Sequence, residues 1–372
     1  MSNLGIITVG RSDFSILHPL MLHLENQGLA FKIFASTAHF SKEFGHTANE
    51  IFQSFDSKNI ESVDTKISVS TNSHLAASIA KHVLLFSQKF KKHNIKSIVL
   101  IGDRYETFAA ATAATSMMID IIHLHGGVIT LGSMDNAFRN AITEMSQYHF
   151  VDNKKAEDRL IKKGIENSRV FFLGSLAVEN FVNSKKMSDE DFYQEIFKTD
   201  QSVPFAVATY HPSTKILEDD KKIVMNIIKS VTSKKIHLLF TFPNADLNNA
   251  HIIKVLIKES KKNKFLTVKK NLGGLLYNSA LKKSIFMVGN SSSGIIESSA
   301  CKTPSINIGS RQDGRDMNLN TVNVSGTELS ISKAIKKIAD SSFLEQAFTK
   351  DIYFKKNAVS FLSKKLIKLI NS

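Results

Sequence analysis

The chain of 372 residues is 42% hydrophobic and 22% charged, has a formal net charge of +14 and contains one cysteine, Cys301. These values exclude an intramolecular disulfide and a cysteine-built zinc cage, and no stretch approaches the roughly 18 apolar residues of a membrane span. The first residues, MSNLGIITVG, lack the pattern of a signal peptide. We therefore expect a globular protein of about two domains, without a membrane segment and located in the cytoplasm.

The predicted elements of the first half alternate between short apolar runs and helical patterns, which is typical of parallel sheets built from βαβ units. The strands are expected at 4–10, 31–37, 96–102, 120–126, 148–152 and 169–174, and the helices at 16–28, 74–94, 106–118, 136–147 and 154–164.

The second half repeats this plan after a polar stretch, 185–202, which we interpret as interdomain. Strands are expected at 204–210, 236–242, 265–270, 284–289 and 304–309, and helices at about 217–233, 249–262, 272–283, 293–301 and 328–340. The pattern predicts one domain over 1–180 and a second over 200–345. Residues 346–372 are predicted to contain a C-terminal helix that packs back on the domains.

The excess of lysine is compatible with two kinds of partner, a nucleic acid or a small anion. The lysines occur as scattered pairs where predicted helices end, such as Lys91–Lys92 and Lys282–Lys283. That distribution is typical of solvated helix ends. We predict an anionic small-molecule substrate and no nucleic-acid partner.

Polar residues cluster where the predicted strands end, and doubly wound sheets bind their ligands beyond the carboxyl ends of the strands. The residues at these ends are Arg11, Ser12, Asp13, Ser15, His39, Asp103, Arg104, Glu106, His123, His125, Asp135, Asn136 and Arg139 in the first half, and His211, Asn244, Asp246, Asn290, Ser291, Ser292, Ser293, Glu297, Arg311, Gln312 and Arg315 in the second.

The segment GNSSSG, 289–294, ends a predicted strand and opens a predicted helix that carries Glu297 one turn in. Backbone N–H groups at a helix N-terminus, together with serine hydroxyls, favour a phosphate or pyrophosphate ligand. A carboxylate in the first turn can accept hydrogen bonds from both hydroxyls of a ribose. The alternative is a serine-capped helix without a ligand, but three successive serines exceed what capping needs.

The segment GDRYE, 102–106, places Asp103, Arg104 and Glu106 within one turn after a strand. A carboxylate there can act as general base, and an arginine can neutralise charge on a leaving phosphate; a capping aspartate with solvated ion pairs is the alternative. The position of His211 is equally compatible with a histidine that donates a hydrogen bond to a phosphate and with one that has a structural role. His123 and His125 point the same way along a strand, but no third ligand has suitable spacing, so we predict no metal.

Six motifs, taken in this order, resemble the hydrolysing UDP-N-acetylglucosamine 2-epimerase family of sialic-acid biosynthesis. They are GRSDFSILHPL, IGDRYETFAAA, HLHGG, MDNAFRNAITEMSQYHFV, YHPST and GNSSSGIIESSACKTPSINIGSRQDGR, between about residues 4 and 325. The last motif is most similar to bacterial members that make N-acetylmannosamine, or the 2,4-diacetamido-2,4,6-trideoxymannose used for legionaminic acid. The resemblance implies an α/β GT-B fold, in which two Rossmann-like, doubly wound domains face a central cleft.

The resemblance also implies a reaction, in which loss of the C2 proton and anti elimination of UDP give a glycal that water converts to the free manno sugar. Asp103 and Asp135 would be catalytic carboxylates, with His211 and Arg11 near the pyrophosphate. The remaining residues expected to bind substrate or nucleotide are Ser15, Arg104, Glu106, Asn290, Ser291, Ser292, Ser293, Glu297 and Arg311. The family implies no cofactor and no metal, and a homo-oligomer, either dimer or tetramer.

Three positions depart from the family pattern. The glycine pair is normally followed by a catalytic glutamate, where this chain has Val128, and a second glutamate usually lies three positions later, where it has Leu131. The family's histidine after the arginine of the next helix is Asn140 here. Three explanations remain open. The reaction uses other acids, or the scaffold performs another reaction on a nucleotide sugar, such as glycosyl transfer, or the protein is a catalytically impaired paralogue.

Overall fold

Two parallel sheets, with helices between all successive strands except β12 and β13, form the computed structural model, which describes residues 3–40, 47–69, 71–185, 187–212, 219–243 and 249–371. The chain divides into two compact units. Unit 1 comprises Met1–Ile129, Met134–Glu179 and Lys355–Ser372, and unit 2 comprises Thr130–Ser133 and Asn180–Phe354. The predicted alternation of strands and helices is therefore confirmed.

Unit 1 is built on a seven-stranded sheet in the order β3-β2-β1-β4-β5-β6-β7. Its strands are β1 (Leu4–Thr8), β2 (Lys32–Ser36), β3 (Ile60–Val63), β4 (Ser97–Ile101), β5 (Asp120–Leu124), β6 (Tyr148–Val151) and β7 (Val170–Phe172). The first seven helices of the chain are α1 (Arg11–Asn26), α2 (Ala48–Ser54), α3 (Asn72–Lys92), α4 (Tyr105–Ser116), α5 (Asp135–Met145), α6 (Lys154–Lys162) and α7 (Leu176–Asn183), with short 3₁₀ turns at Thr37–Phe40, Ser57–Asn59 and Asn167–Arg169.

Unit 2 contains a six-stranded sheet in the order β10-β9-β8-β11-β12-β13. Its strands are β8 (Phe205–Thr209), β9 (His237–Thr241), β10 (Leu266–Lys269), β11 (Phe286–Gly289), β12 (Ser305–Ile308) and β13 (Thr321–Val324). Its helices are α8 (Asp189–Phe197), α9 (Asp220–Thr232), α10 (Ala250–Ser260), α11 (Gly273–Lys283), α12 (Ser293–Ile296), α13 (Glu328–Ile338) and α14 (Ser341–Ala347).

The strand order reverses once in each sheet, between β1 and β4 in unit 1 and between β8 and β11 in unit 2. At these positions the neighbouring strands run in parallel register, as for Ile6 and Val99 or Thr209 and Gly289. The carboxyl ends of such a strand pair flank the crevice where open α/β sheets bind ligands. The fold thus brings the segments after β1 and β4, and those after β8 and β11, to the two places where a site is expected.

The last helix, α15 (Ala358–Asn371), belongs to unit 1. Its buried Leu362 and Leu366 share one hydrophobic cluster with Leu17 and Leu20 of α1. The carboxylate of Glu179 accepts hydrogen bonds from the backbone N–H groups of Ala358 and Val359, at 2.9 and 2.7 Å. These two donors lie in the first turn of α15, where N–H groups have no partner within the helix, so Glu179 anchors the start of the helix.

The described residues of the polar stretch 185–202, which we interpreted as interdomain, contain helix α8 of unit 2. The Ser188 hydroxyl caps this helix by accepting from the N–H of Asp191 at 3.1 Å. On one helical face Phe192, Tyr193 and Ile196 are buried in a cluster of unit 2. The charged residues of α8 lie around this narrow apolar face, which explains why composition alone indicated a boundary.

Two strands were missed in the prediction, β3 and β13, which are the edge strands on one side of each sheet. Both have four residues, and in both only one side of the strand is paired, so they carry less apolar sequence than central strands. No helix within the described ranges is long and apolar enough to cross a membrane.

Candidate functional site

An ion pair between the buried Arg139 and the partly exposed Asp103 lies at the carboxyl edge of the unit 1 sheet. Gly102 ends the strand region of β4 with φ of +79°, and Asp103 follows directly. Arg139 of α5 is only 3% exposed, and its Nη2 donates to the Asp103 Oδ2. A guanidinium this deeply buried needs an anionic partner. Asp103 is therefore held in place as a carboxylate.

The loop that follows β5 is fixed through its backbone. Nη1 of Arg139 donates to the carbonyl oxygen of Val128 at 3.0 Å, and Nε of Arg159 donates to that of Gly127 at 2.8 Å. The Val128 side chain points elsewhere: it is 2% exposed and belongs to an apolar cluster with Val151, Ala156, Leu160 and Val170. The carbonyl group of Val128 thus accepts a hydrogen bond at the polar edge of the sheet, while its side chain packs in the hydrophobic core.

Arg104 and Glu106 form a second pair in unit 1. Nε of Arg104 lies 3.2 Å from Oε2 of Glu106, and the glutamate is 1% exposed while the arginine side chain is 32% exposed. Glu106 is thus already engaged in orienting Arg104, whose guanidinium reaches solvent. This arrangement suits an arginine that meets an anion more than a glutamate that shuttles protons.

Asp13, one of the strand-end residues to which the sequence assigned no binding or catalytic role, is a buried carboxyl at the same edge. It lies in the first turn of α1, and its Oδ2 accepts from the N–H of Val9 at 2.5 Å. Burial raises the pKa of Asp13 to about 6, against the opposing effects of the Val9 hydrogen bond and the Arg104 charge. Its signal in the sequence was an acidic residue directly after a strand end.

The other predicted residues of unit 1 occupy the segments after β1 and β5. Arg11 is the first residue of α1, and its Nε lies 4.0 Å from Oε1 of Glu50. Ser15 is exposed, and its hydroxyl donates to the Ser12 carbonyl at 2.8 Å. Asp135 is the first residue of α5 and is partly exposed. All three positions lie at the carboxyl edge of the sheet.

Asn290 connects three loops of unit 2. Its side-chain amide accepts from the N–H of His211 at 2.7 Å and donates to the carbonyl of the same residue at 2.8 Å. Its own carbonyl accepts from Nη1 of Arg311 at 3.2 Å and Nε2 of Gln312 at 2.9 Å. Since Asn290 is 0% exposed, it acts here by holding the loops after β8 and β12 against the end of β11.

The helix that begins in the serine segment is shorter than predicted. The expected helix 293–301 was wrong in length, because α12 covers only Ser293–Ile296. The Ser298 hydroxyl donates to the carbonyl of Gly294 at 2.7 Å, and its N–H donates to Ser293 at 3.1 Å, which interrupts the regular ladder. The Ser293 hydroxyl accepts from Tyr277 at 2.8 Å, whereas Ser292 makes no capping hydrogen bond.

Glu297 follows α12 and is a partly buried carboxyl near these serines. Burial raises its pKa, although hydrogen bonds and the Arg315 charge oppose this shift. Its Oε2 is buried without a hydrogen-bond partner among the described residues, and so are Oε1 of Gln312 and Nε of Arg315. Buried polar atoms without partners are rare, and a bound ligand is one explanation for them. Asn244 and Asp246 lie outside the described residues.

The part of the chain that the structure describes contains no group of three or more His, Cys, Asp or Glu residues placed to hold a metal. His123, which was considered with His125 for this role, is fully buried and hydrogen-bonded to the carbonyl of Gly102 at 2.8 Å. Asp103 and Arg139 meet in unit 1 as a pair that sequence reasoning did not join, although both residues were among its strand-end candidates.

Comparison with known proteins agrees with these observations. A family model for UDP-N-acetylglucosamine 2-epimerase matches residues 23–367. The GDP/UDP-N,N'-diacetylbacillosamine 2-epimerase (hydrolyzing) of Campylobacter jejuni is 35% identical over 91% of this chain and 88% of that protein. The UDP-N,N'-diacetylbacillosamine 2-epimerase (hydrolyzing) of Legionella pneumophila is 28% identical over 86% of this chain and 84% of its own length.

A solved structure shares the fold. The UDP-GlcNAc 2-epimerase of Methanocaldococcus jannaschii, crystallised with UDP-GlcNAc and UDP, superposes with a TM-score of 0.82 at 17% identity over 98% of this chain and 99% of that chain. This likeness confirms the predicted fold class, an α/β protein of the GT-B type with two Rossmann-like units. With the family match over most of its length, the chain belongs to the UDP-N-acetylglucosamine 2-epimerase family of enzymes.

Proposed function

We propose that the protein is a hydrolysing 2-epimerase of UDP-N,N'-diacetylbacillosamine, with UDP-N-acetylglucosamine as the alternative substrate of the same chemistry. Two relatives named for the first sugar, at 35% and 28% identity, support this choice. The product would be UDP and the free sugar 2,4-diacetamido-2,4,6-trideoxymannose, a precursor for nonulosonic acids such as legionaminic acid.

The proposed reaction has two stages. A carboxylate removes the C2 proton, the C1–O bond to UDP breaks with its electron pair leaving on the β-phosphate oxygen, and a C1–C2 double bond forms. Water then adds its oxygen to C1 and loses a proton, while C2 takes a proton on the opposite face. The first stage needs a group that accepts the C2 proton. The second stage needs a group that accepts a proton from water and another that donates a proton to C2 on the opposite face of the ring.

The Asp103–Arg139 pair is the observation that carries this proposal. Because Arg139 is buried and its guanidinium is shared between Asp103 and the Val128 carbonyl, Asp103 is an ionised and rigidly positioned carboxylate. That is what a base or an electrostatic stabiliser requires. Asp135, at the start of α5 on the same sheet edge, would supply the second carboxylate.

The residues of unit 2 would bind the nucleotide. Ser291 and Ser292 would donate to the phosphates, with His211 and Arg311 held beside them by Asn290. The buried Oε2 of Glu297 would accept from the ribose hydroxyls, which gives a partner to an atom that has none among the described residues. Arg11 and Arg104 of unit 1 would neutralise charge on the leaving diphosphate.

Val128 does not argue against this chemistry. Its side chain is part of an apolar cluster, so a glutamate in the same conformation would not reach the polar edge where Asp103 lies. The proton transfers are therefore assigned to the two aspartates. Glycosyl transfer from the same nucleotide sugar is the alternative, and its first requirement is an acceptor in place of water.

Proton NMR in D₂O tests the proposal. The purified protein is incubated in separate tubes with UDP-N,N'-diacetylbacillosamine and UDP-N-acetylglucosamine. We expect UDP and a free manno-configured sugar with deuterium at C2, with faster turnover in the first tube. If both nucleotide sugars remain intact while UDP binds in calorimetry, the epimerase assignment fails and an acceptor has to be sought.

A further inference from the structure

We infer that His123 is a positioning residue for the proposed reaction: by donating a hydrogen bond to the Gly102 carbonyl, it fixes the backbone from which Asp103 projects. This inference rests on the proposed role of Asp103. His123 itself is 0% exposed and lies within β5, so it does not meet the substrate. His123 acts on Asp103 through the end of β4, the strand next to β5.

The protonation state of the ring follows from its partners. Nε2 of His123 lies 2.8 Å from the Gly102 oxygen, and Nδ1 lies 3.3 Å from the hydroxyl of Thr143. A carbonyl oxygen can only accept, so Nε2 carries the hydrogen. Nδ1 is then the acceptor, and the Thr143 hydroxyl donates to it. The threonine thereby stabilises the tautomer that the Gly102 bond requires.

Helix α5 holds Asp103 from two directions. Thr143 lies one helical turn after Arg139, so the two side chains lie on the same face of α5. Arg139 binds the carboxylate of Asp103 directly, while Thr143 orients His123, which binds the peptide group just before Asp103. The side chain and the preceding backbone of Asp103 are thus tied to a single helix.

Gly126 provides the space for this ring. A Cβ atom built on Gly126 would lie 2.8 Å from Nδ1 of His123 and 3.1 Å from the Thr143 hydroxyl. Any larger residue there would displace the ring or break its contact with Thr143. The first glycine of the HGG motif is therefore explained by the packing of His123, without reference to a ligand.

The ring contributes no charge to the site. Burial lowers the pKa of His123 to about 4, so the imidazole is neutral near pH 7. Arg139 remains the cation bonded to Asp103. A neutral donor fixes the position of the aspartate without adding a second positive charge that would weaken it as a base.

His149 is a matched control. It pairs in register with His123 on the neighbouring strand β6 and is equally buried, at 1% exposure. Its Nδ1 has no hydrogen-bond partner within the described ranges, and the ring that bonds to the Gly102 carbonyl is that of His123. A variant of His149 removes a buried imidazole of the same kind from the same sheet without touching the Asp103 backbone.

Kinetics of three variants test the inference. We expect His123→Leu to lower kcat by on the order of 10²-fold, the loss typical of a displaced catalytic group, with KM and UDP affinity within a few-fold. His123→Gln, whose amide can donate to the same carbonyl, should recover most of this loss. His149→Leu should keep kcat within a few-fold. Equal kcat values in the two leucine variants, or no rescue by glutamine, would overturn the inference.

NMR of the natural protein provides a test that does not depend on turnover or on the folding of a variant. Two-dimensional ¹H–¹⁵N spectra of the histidine rings, assigned with His123→Gln, should show a neutral ring with hydrogen on Nε2. A hydrogen on Nδ1, or a charged ring at pH 7, would overturn the inference. Absence of epimerase activity in the natural protein would instead remove the proposed function, while this hydrogen bond would still be tested.

Discussion

Arg139 is hydrogen-bonded to the main chain of Val128: Nη1 of the arginine donates to the valine carbonyl at 3.0 Å, while the valine side chain packs among Val151, Ala156 and Leu160. A residue that departs from the family motif is thus still connected to the charged pair of the site. The hydrogen bond from Arg139 depends on the backbone conformation of Val128, and the packing depends on its apolar side chain. A charged residue at this position would disturb both.

Val128→Glu is therefore expected to destabilise the protein and to give no gain in rate. Placing a larger carboxyl in a packed apolar cluster should cost about 2–4 kcal/mol of the free energy of unfolding. Denaturant unfolding and kcat are measured together, with Val128→Ala as the control that opens a cavity without adding a polar group. A faster enzyme of unchanged stability would show that the loop can turn this side chain toward the substrate.

Asp103→Asn should remove turnover while UDP binding is preserved. Loss of a positioned base or acid lowers the rate by about 10²–10⁴-fold. The nucleotide is assigned to unit 2, so UDP affinity by calorimetry should stay within a few-fold. An active variant would mean that Asp103 only neutralises Arg139, and Arg139→Met would then be tolerated in the same background.

Glu297→Gln should weaken UDP binding by about tenfold, the loss typical of a hydrogen bond to a charged group. The raised pKa of Glu297 adds a pH dependence. As pH falls through that pKa the carboxylate becomes protonated and accepts less well from the ribose, so UDP affinity should fall. This pH dependence of UDP affinity should be absent in Glu297→Gln, whereas the dependence that comes from titration of the UDP phosphate should remain. The variant therefore separates the two effects. Identical pH profiles would remove Glu297 from the ribose site.

Asp13→Asn should change how stability depends on pH. The pKa of Asp13 is raised from 3.8 to about 6 in the folded protein, so its contribution is fully present below pH 3.8 and is lost as pH rises through 6. Relative to the natural protein, the variant should gain roughly 2 kcal/mol between pH 4 and pH 7. Asp340→Asn should shift the opposite way, because hydrogen bonds from Ser342 lower the pKa of Asp340. A flat difference for Asp13→Asn would show an ordinary carboxyl.

The sequence was sufficient for what depends on local pattern. Alternating apolar runs predicted 11 strands close to their observed positions, and the rule that sites lie at strand ends selected both Asp103 and Arg139. Their pairing could not be foreseen, because it depends on how α5 crosses the sheet. The direction of the Val128 side chain could not be predicted either, because the glycine pair before it allows the chain to turn either way.

Glu179 and α15 have a consequence for how the protein is made. Unit 1 includes Lys355–Ser372, whereas unit 2 ends at Phe354, so a growing chain contains all of unit 2 before unit 1 has its final helix. Until Ala358 and Val359 leave the ribosome, the Glu179 carboxylate lacks these two N–H donors, and the apolar face of α1 lacks its contacts with α15. Unit 1, whose first residues are synthesised before those of unit 2, thus receives α15 only after all of unit 2 has been synthesised.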